Sequence, residues 1–459
     1  MNPEITEMLK VAGRFGEGKR FLMITLGCQM NEHDSEVIAA ILKSIGYSTA
    51  LTPEDADLII INTCAVRKKP EDKVASLLGK YASLKNSKKD LIIAVGGCMT
   101  QQEDAANYIK ERFHYVDLVF GTHALPRLPK LLEEAGGQKK GLIVDIEETY
   151  SSREGLPVAH SSHFKAWLPV IYGCNNFCSY CVVPYVRGRE HSRSFEEVVS
   201  EARSLARRGY VELTLLGQNV NSYGHDLPGN YTFADLLTEL NQVDGLERIR
   251  FMTSHPKDLS MKLIEAVRQG DKICEHFHLP VQSGSNRILD KMNRHYSREH
   301  YLELVEAIKG AVPGVSITSD IIVGFPGEAE EDLSETADLL ERARFDSAFS
   351  FIYSPRNKTA AAELNDNLTY QQKEIRLQHL NEIQHRISKE INNQMANQSF
   401  ELLVEGPSKS NPDVQTGRTR TNKLVHFTGS DRLVGKLVQV KITDVRTWNL
   451  IGKLEGELN

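Results

Sequence analysis

Apolar residues in the first third of the chain gather in short unbroken runs: Phe21–Leu26, Leu58–Ile61, Leu91–Val95 and Val116–Phe120. Unbroken runs, rather than alternating ones, predict strands buried on both faces of a parallel sheet. Segments with helical spacing, Ser35–Ser44 and Ser76–Leu84, fall between them. Residues 18–137 therefore read as an α/β domain. Residues 138–163, rich in Gly, Ser, Glu and Lys, read as a linker. The strand-then-helix pattern resumes from residue 164, with strands at Leu168–Tyr172, Val211–Leu216, Arg248–Met252, His276–Pro280, Ser316–Val323 and Phe349–Tyr353. These units predict a partial (β/α)6 barrel rather than a full eight-unit one. A sharp turn, Gly324-Phe325-Pro326-Gly327, precedes Glu328, Glu330, Glu331 and Asp332, acids that suit the start of a helix. Leu377, Leu380, Ile383, Ile387 and Ile391 give residues 369–395 one apolar face, so a packing helix closes the segment 164–395. Short strands then follow at Phe400–Val404, Leu424–Phe427, Leu437–Val445 and Asn449–Leu454, predicting a small antiparallel β-barrel, similar to an OB-fold, over 396–459.

Cysteine changes this picture from architecture to chemistry. Cys28, Cys64 and Cys98 each follow one of the first parallel strands. Sites in open parallel sheets gather at the carboxyl ends of strands, so these three thiols are expected at one rim. Cys174, Cys178 and Cys181 form a CxxxCxxC loop just after the first barrel strand. Three thiolates on a tight loop can hold three irons of a 4Fe–4S cluster and leave the fourth iron open. The alternative, structural zinc, wants four closed ligands, and no partner motif lies nearby. Cys274 has no companion and reads as a buried thiol. An odd cysteine count does not suggest a disulfide framework. No run of about 18 apolar residues is present, so no membrane span is expected. Met1–Lys19 mixes acids and bases without an apolar core, and a cytoplasmic location is expected. The net charge of −6 excludes a globally basic nucleic-acid coat but leaves room for a local basic patch.

The CxxxCxxC loop on a six-unit partial barrel, with the aromatic Tyr180 between its last two cysteines, resembles the radical-SAM superfamily. The resemblance sharpens over Gly27-Cys28-Gln29-Met30-Asn31-Glu32, Asn62-Thr63-Cys64-Ala65-Val66-Arg67, Gly96-Gly97-Cys98 and Val182-Val183-Pro184-Tyr185-Val186-Arg187-Gly188. Leu215-Leu216-Gly217-Gln218-Asn219-Val220, Leu279-Pro280-Val281-Gln282-Ser283-Gly284 and Gly324-Phe325-Pro326-Gly327-Glu328 extend it. Together they are similar to the methylthiotransferase family. The terminal barrel resembles its TRAM module, which binds RNA. Among the family's branches, Cys28-Gln29-Met30-Asn31-Glu32-His33-Asp34-Ser35 and Leu403-Val404-Glu405-Gly406-Pro407-Ser408-Lys409 resemble the MiaB-type branch, with His33 where a tyrosine is common.

The resemblance implies two 4Fe–4S clusters, one on Cys174, Cys178 and Cys181 and an auxiliary one on Cys28, Cys64 and Cys98. It implies S-adenosylmethionine as methyl donor and radical source. The substrate would be carbon 2 of isopentenyl-adenosine in the tRNA anticodon loop. It also implies an external electron donor and proteins that supply sulfur or iron–sulfur clusters. Rival substrates are threonylcarbamoyl-adenosine of tRNA and a ribosomal protein. A rival of another class is a non-catalytic iron–sulfur RNA-binding protein. Tyr180 is expected near the adenine of S-adenosylmethionine. Gln218, Gln282, Ser283 and Asp320 end strands at the catalytic face and are expected to meet the methionine or ribose; loop capping is the alternative. Tyr353 is expected to frame the adenine or to fill the barrel mouth. Arg187, Arg189 and Arg193, and in the terminal module Arg418, Arg420 and Lys423, are candidate contacts to tRNA phosphates. Nothing in the sequence demands more than a monomer.

Overall fold

The computed structural model describes residues 15–65, 68–137, 141–147, 153–409 and 411–458. Val66 and Arg67 of the second cysteine block lie outside the described residues, as do Met1–Arg14 and parts of the expected linker. The chain forms two compact units. One runs to Ser161 and includes Tyr172–Asn175 and Cys181–His191; the other holds Ser162–Ile171, Asn176–Tyr180 and Ser192–Asn459.

The first unit is built on a parallel sheet of β1 (Arg20–Thr25), β2 (Ser48–Thr49), β3 (Leu58–Thr63), β4 (Ile92–Gly97), β5 (Leu118–Phe120) and β6 (Ile143–Asp145), in the order β2-β1-β3-β4-β5-β6. The unbroken apolar run of β3 has a simple cause. Leu58 and Ile60 pack into one core with Val37, Ile38 and Ile41 of the helix Gln29–Ser44. Ile59 and Ile61 pack into the other with Val74, Leu78 and Ile109. Both faces are covered, so every position is apolar; each such side chain contributes about 1.5–3 kcal/mol on burial. The linker expectation needs correcting. Ile143–Asp145 is an edge strand paired to β5, and Arg127 clasps Asp145 at 2.8 and 2.6 Å. Ser161 is tied back to Glu36 through its N–H at 2.8 Å and its hydroxyl at 2.7 Å. Three residues of half-exposed strand inside a polar stretch leave little pattern to read.

In the second unit, β7 (Lys165–Pro169), β10 (Glu212–Leu216) and β11 (Arg248–Phe251) pair in parallel, as do β12 (His276–His278), β13 (Ser316–Val323) and β14 (Ser347–Ile352). An Ile249–Ile273 bridge and the bond from Cys274 N–H to Ile249 O (2.9 Å) join the two triplets. This is the expected six-stranded partial barrel. Cys274 is buried at that join, as expected. Along the chain, β8 (Ile171–Tyr172) and β9 (His191–Ser192) bracket the cysteine loop. Glu328 and Asp332 of the acid run are buried and structural: Glu328 accepts from Gly324 N–H and Arg376, and Asp332 accepts from Ala329 N–H at the helix start. The helix Tyr370–Asn393 lays Leu380 and Ile387 into the barrel core.

The terminal module is a closed barrel, β15 (Ser399–Ser408), β16 (Asn411–Thr419), β17 (Leu424–Thr428), β18 (Leu437–Val445) and β19 (Leu450–Glu457). β16 escapes the sequence pattern because its outward positions are polar and its inward ones are Gln415, Gly417 and Thr419.

Candidate active site: two cysteine sets, each with a buried arginine

Cys28 sits at the N-cap of the helix Gln29–Ser44, where backbone N–H groups and the helix dipole favour a thiolate. Gly27 makes its approach to Cys64 feasible: φ is +144°, and a Cβ there would meet the Cys64 Cβ at 2.7 Å. Gly97 does the same before Cys98, since a Cβ would lie 2.4 Å from Asn62 Oδ1 and Thr63 O. Buried amides fix the rim. Asn62 Nδ2 donates to Asn31 O (2.8 Å) and Ser35 Oγ (2.9 Å), and Asn31 Nδ2 donates to Thr63 O (3.1 Å). The three thiols converge as expected. A hydrogen bond from Cys64 is the main cause that pulls the Cys28 thiol down to about 6; burial opposes it and Arg187 assists. Burial pushes Cys98 up, with Arg187 opposing.

Arg187 corrects an expectation. It is 5% exposed, not on a phosphate-facing surface. Its Nε donates to Cys98 Sγ at 3.1 Å and its Nη2 to Asp34 Oδ2 at 2.7 Å. The other Asp34 oxygen takes Arg153 Nη1 at 2.7 Å. The helix carrying Arg187, Val183–Arg187, starts two residues after Cys181. Val182 and Val186 share a buried cluster with Ala65 and Cys98. Thr122 Oγ1 donates to Val186 O (2.6 Å), and Cys174 N–H donates to Gly188 O (3.2 Å). Arg189 is exposed.

In the second unit Cys178 is buried and accepts from Arg294 Nη1 at 3.3 Å. The same guanidinium reaches Tyr180 Oη (3.3 Å), Pro280 O (2.7 Å) and Tyr296 Oη (2.9 Å). Arg294 was not anticipated; a lone Arg in Met292-Asn293-Arg294-His295 carries no spacing signal. His255 was missed as well. It is buried at the end of β11, and Lys257 N–H donates to its Nδ1 at 3.2 Å, which leaves Nε2 as the protonated nitrogen. Burial, with Arg294 next, keeps its pKa far below the usual histidine range.

Gln218 follows β10, half-buried. Gln282 holds a left-handed φ of +71° and is pinned by backbone bonds from its N–H to Asp320 O (2.8 Å) and from Ile322 N–H to its O (2.9 Å). Asp320 on β13 faces His278 Nε2 at 3.5 Å. The Ser283 hydroxyl accepts from Ser285 N–H (3.2 Å), a turn-capping contact. Tyr353 packs edge-on to Phe325 at 5.4 Å in a cluster that Tyr180 joins, so it fills the barrel mouth.

The four other basic candidates each have partners within the second unit. Arg193 is spent on Pro169 O and Glu201. Arg418 pairs with Glu405 at 3.3 Å and donates to Asn422 O. Arg420 forks onto Glu275 and Ile273 O. Lys423 holds Asp346 at 2.6 Å and Asn392 Oδ1 at 2.8 Å. Of these, Arg420 and Lys423 dock the small barrel onto the large one. Buried Arg248 and Arg250 reach the other way, to Arg418 O and Arg420 O, both at 2.8 Å.

The donor chemistry fits iron–sulfur clusters. A multi-iron cluster takes one thiolate per iron on separate corners, and N–H groups on its sulfurs are usual.

Comparison with known proteins agrees. The uncharacterized protein family UPF0004 matches residues 20–121, the radical SAM superfamily residues 168–340 and the TRAM domain residues 393–454. The fold is similar to the radical S-adenosylmethionine methyltransferase TsrM from Kitasatospora setae, with a TM-score of 0.54 at 15% identity, over 75% of this chain and 74% of that one. A protein of Natranaerobius thermophilus is 51% identical over 96% of this chain and 98% of its own length, and one of Desulforamulus reducens is 50% identical over 98% and 97%. Both carry the name tRNA-2-methylthio-N(6)-dimethylallyladenosine synthase. With three domain models in order and half its residues shared over nearly its whole length, the chain belongs to the family of tRNA-2-methylthio-N(6)-dimethylallyladenosine synthases, radical-SAM enzymes that combine S-adenosylmethionine with iron–sulfur clusters.

Proposed function

We propose that the chain methylthiolates carbon 2 of isopentenyl-adenosine beside the anticodon of tRNA, consuming one S-adenosylmethionine as methyl donor and another as radical source. The observation that carries this reading is the convergence of Cys28, Cys64 and Cys98 in a chain that also bears a radical-SAM loop. Carbon 2 of adenine bears an unactivated C–H bond that no side-chain base removes at useful rates, so the reaction needs cofactor chemistry. When bound, a cluster on Cys174, Cys178 and Cys181 would, with S-adenosylmethionine, supply carbon-radical chemistry, and one on Cys28, Cys64 and Cys98 would supply the sulfur.

The protein's own part is holding and shielding. Cys174, Cys178 and Cys181 hold the first cluster, and Cys28, Cys64 and Cys98 the second. Arg294 donates to a loop thiolate and fixes the Tyr180 hydroxyl. Tyr353 and Phe325 share a cluster with half-buried Tyr180. Gln218, just past β10, and Asp320, within β13, are the partners for the cofactor's amine and hydroxyls. Residues 396–459 bind the tRNA, and Arg189, exposed just after the loop, offers a cation to its phosphates. The enzyme works as a cytoplasmic monomer and draws electrons from an external donor and sulfur from a supply protein. The test is an anaerobic reaction of reconstituted protein with isopentenyl-adenosine tRNA, S-adenosylmethionine and dithionite, read by nucleoside mass spectrometry. A methylthio product with 5′-deoxyadenosine supports the reading. Deoxyadenosine without product moves the substrate to threonylcarbamoyl-adenosine or a ribosomal protein. RNA binding without cofactor cleavage would leave only a non-catalytic role.

A further inference from the structure

Within the first unit, a charge-paired arginine reaches the auxiliary cysteines from the segment that follows the radical-SAM loop. We propose that Arg187 is a positioning residue of the Cys28/Cys64/Cys98 site: its guanidinium, braced by Asp34 and Arg153, fixes the Cys98 thiolate and sets the charge, and so the reduction potential, of the cluster held there. The inference rests on the cluster reading above and goes beyond it.

The geometry is specific. Arg187 uses two edges of its fork, Nε on Cys98 Sγ at 3.1 Å and Nη2 on Asp34 at 2.7 Å. A lysine has no such second edge. The Arg187 and Asp34 side chains are each 4% exposed, and that of Arg153 is 8% exposed. An ionic triad this deep costs desolvation that needs a return. Cysteine provides the reason. Three thiolates outweigh a doubly positive iron–sulfur core, so the loaded site is a buried net anion, and each one-electron reduction adds to it. Arg153, Asp34 and Arg187 together contribute a net single positive charge. N–H donors on a cluster's sulfurs and nearby charge are the levers by which a protein sets its potential. Chain connection adds a second consequence. Arg187 lies six residues past Cys181, and Val182 and Val186 pack against Cys98 and Ala65. The site is therefore complete only when the post-loop helix has folded onto it.

The test uses the full chain with Cys174, Cys178 and Cys181 all replaced by Ala, so that only the auxiliary cluster is reconstituted. Iron content, the electron paramagnetic resonance of the dithionite-reduced cluster and its midpoint potential are read for this parent and for Arg187→Met, Arg187→Lys and Asp34→Asn. The expected result is a midpoint shifted negative in Arg187→Met, where a cation and an N–H···S bond are lost. In Asp34→Asn, where a nearby anion is lost, the shift is positive. Arg187→Lys should fall between Arg187→Met and the parent. Opposite signs are a signature that a merely structural role does not give. Should Arg187→Met fail to hold iron, Asp34→Asn decides alone: a positive shift supports the inference and no shift overturns it. An Arg187→Met protein with the parent's potential and resonance also overturns it, while iron uptake by the parent keeps the cluster reading intact. A parent that takes up no iron overturns both.

Discussion

Two buried arginines, each with an N–H on a cysteine sulfur, solve the same problem in different ways. Arg187 on Cys98 is matched by the carboxylate of Asp34, itself shared with Arg153. Arg294 on Cys178 is matched by a carbonyl and two phenols, with no carboxylate among these partners. The first guanidinium is part of an ionic network and the second is a cation held by dipoles. In a low-dielectric interior that difference is large, because an adjacent carboxylate cancels most of a guanidinium's field. A cluster on the loop cysteines would meet one guanidinium with no carboxylate among its partners. A cluster on Cys28, Cys64 and Cys98 would meet a guanidinium that shares one carboxylate with a second arginine.

The sharpest break between the two sites is chemical. Cys178→Ala is expected to abolish 5′-deoxyadenosine formation. Cys98→Ala is expected to keep it and to lose the methylthio nucleoside. Both products are read from one anaerobic reaction. Deoxyadenosine from the Cys178→Ala protein would remove the loop from its assigned role. Next in size is Arg294→Met, expected to slow S-adenosylmethionine cleavage about 10- to 100-fold, or roughly 1.4–2.8 kcal/mol. Cys178, Tyr180, Tyr296 and Pro280 would lose one donor each but no carboxylate would be orphaned, so the protein should still fold. Arg294→Lys should recover part of the rate. Equal rates for Arg294→Met and the native protein would show that the uncancelled cation does not matter.

How far these sites could be read from residues alone depends on what each signal is made of. The six cysteines were legible because strand ends and a CxxxCxxC spacing leave patterns in one dimension. The parallel sheet was legible in β3 and β4, whose two-sided burial makes the runs unbroken. The arginines were not. Arg187 stands between the mostly apolar Val182–Val186 and Gly188, and looks like a surface cation until Asp34, 153 positions earlier, is placed beside it. Arg418, Arg420 and Lys423 show the same limit: their segment contains no acid, yet their partners Glu405, Glu275 and Asp346 come from elsewhere in the chain. Strand β16 hid because barrel interiors of small residues do not alternate in hydrophobicity. Charge partners at long sequence separation are set by the fold, so only the fold reveals which cations are spent.

A smaller effect separates the two arginines by stability. Arg187→Met leaves Asp34 buried with Arg153 alone, and loss of one partner from a buried pair costs about 3 kcal/mol. Arg294→Met should cost less, since a methionine can fill the apolar side of its site between Tyr180 and Tyr296. Urea unfolding of both full-length variants without iron checks this. A larger midpoint loss in Arg294→Met would reverse the assignment of which cation is structurally balanced.

The smallest expected effect is a pH signature belonging to one arginine only. Burial raises the Asp34 pKa, but Arg187 and then Arg153 overcome it and hold the carboxyl down at about 2. A carboxyl whose pKa is lower folded than unfolded contributes stability that is fully present above the unfolded value near 4 and is lost as pH falls through the folded one. The shift corresponds to about 2 kcal/mol. Between pH 5 and 8, then, the urea midpoint gap between the native protein and Asp34→Asn should stay constant, and below about pH 4 it should narrow. Arg294 rests on a carbonyl and on phenols that keep their protons throughout that range. The gap between native protein and Arg294→Met should therefore stay flat down to the lowest pH at which the chain is folded. A gap for Arg294→Met that also narrowed below pH 4 would mean that a carboxylate supports that cation, and the contrast between a paired and a dipole-held guanidinium would fail.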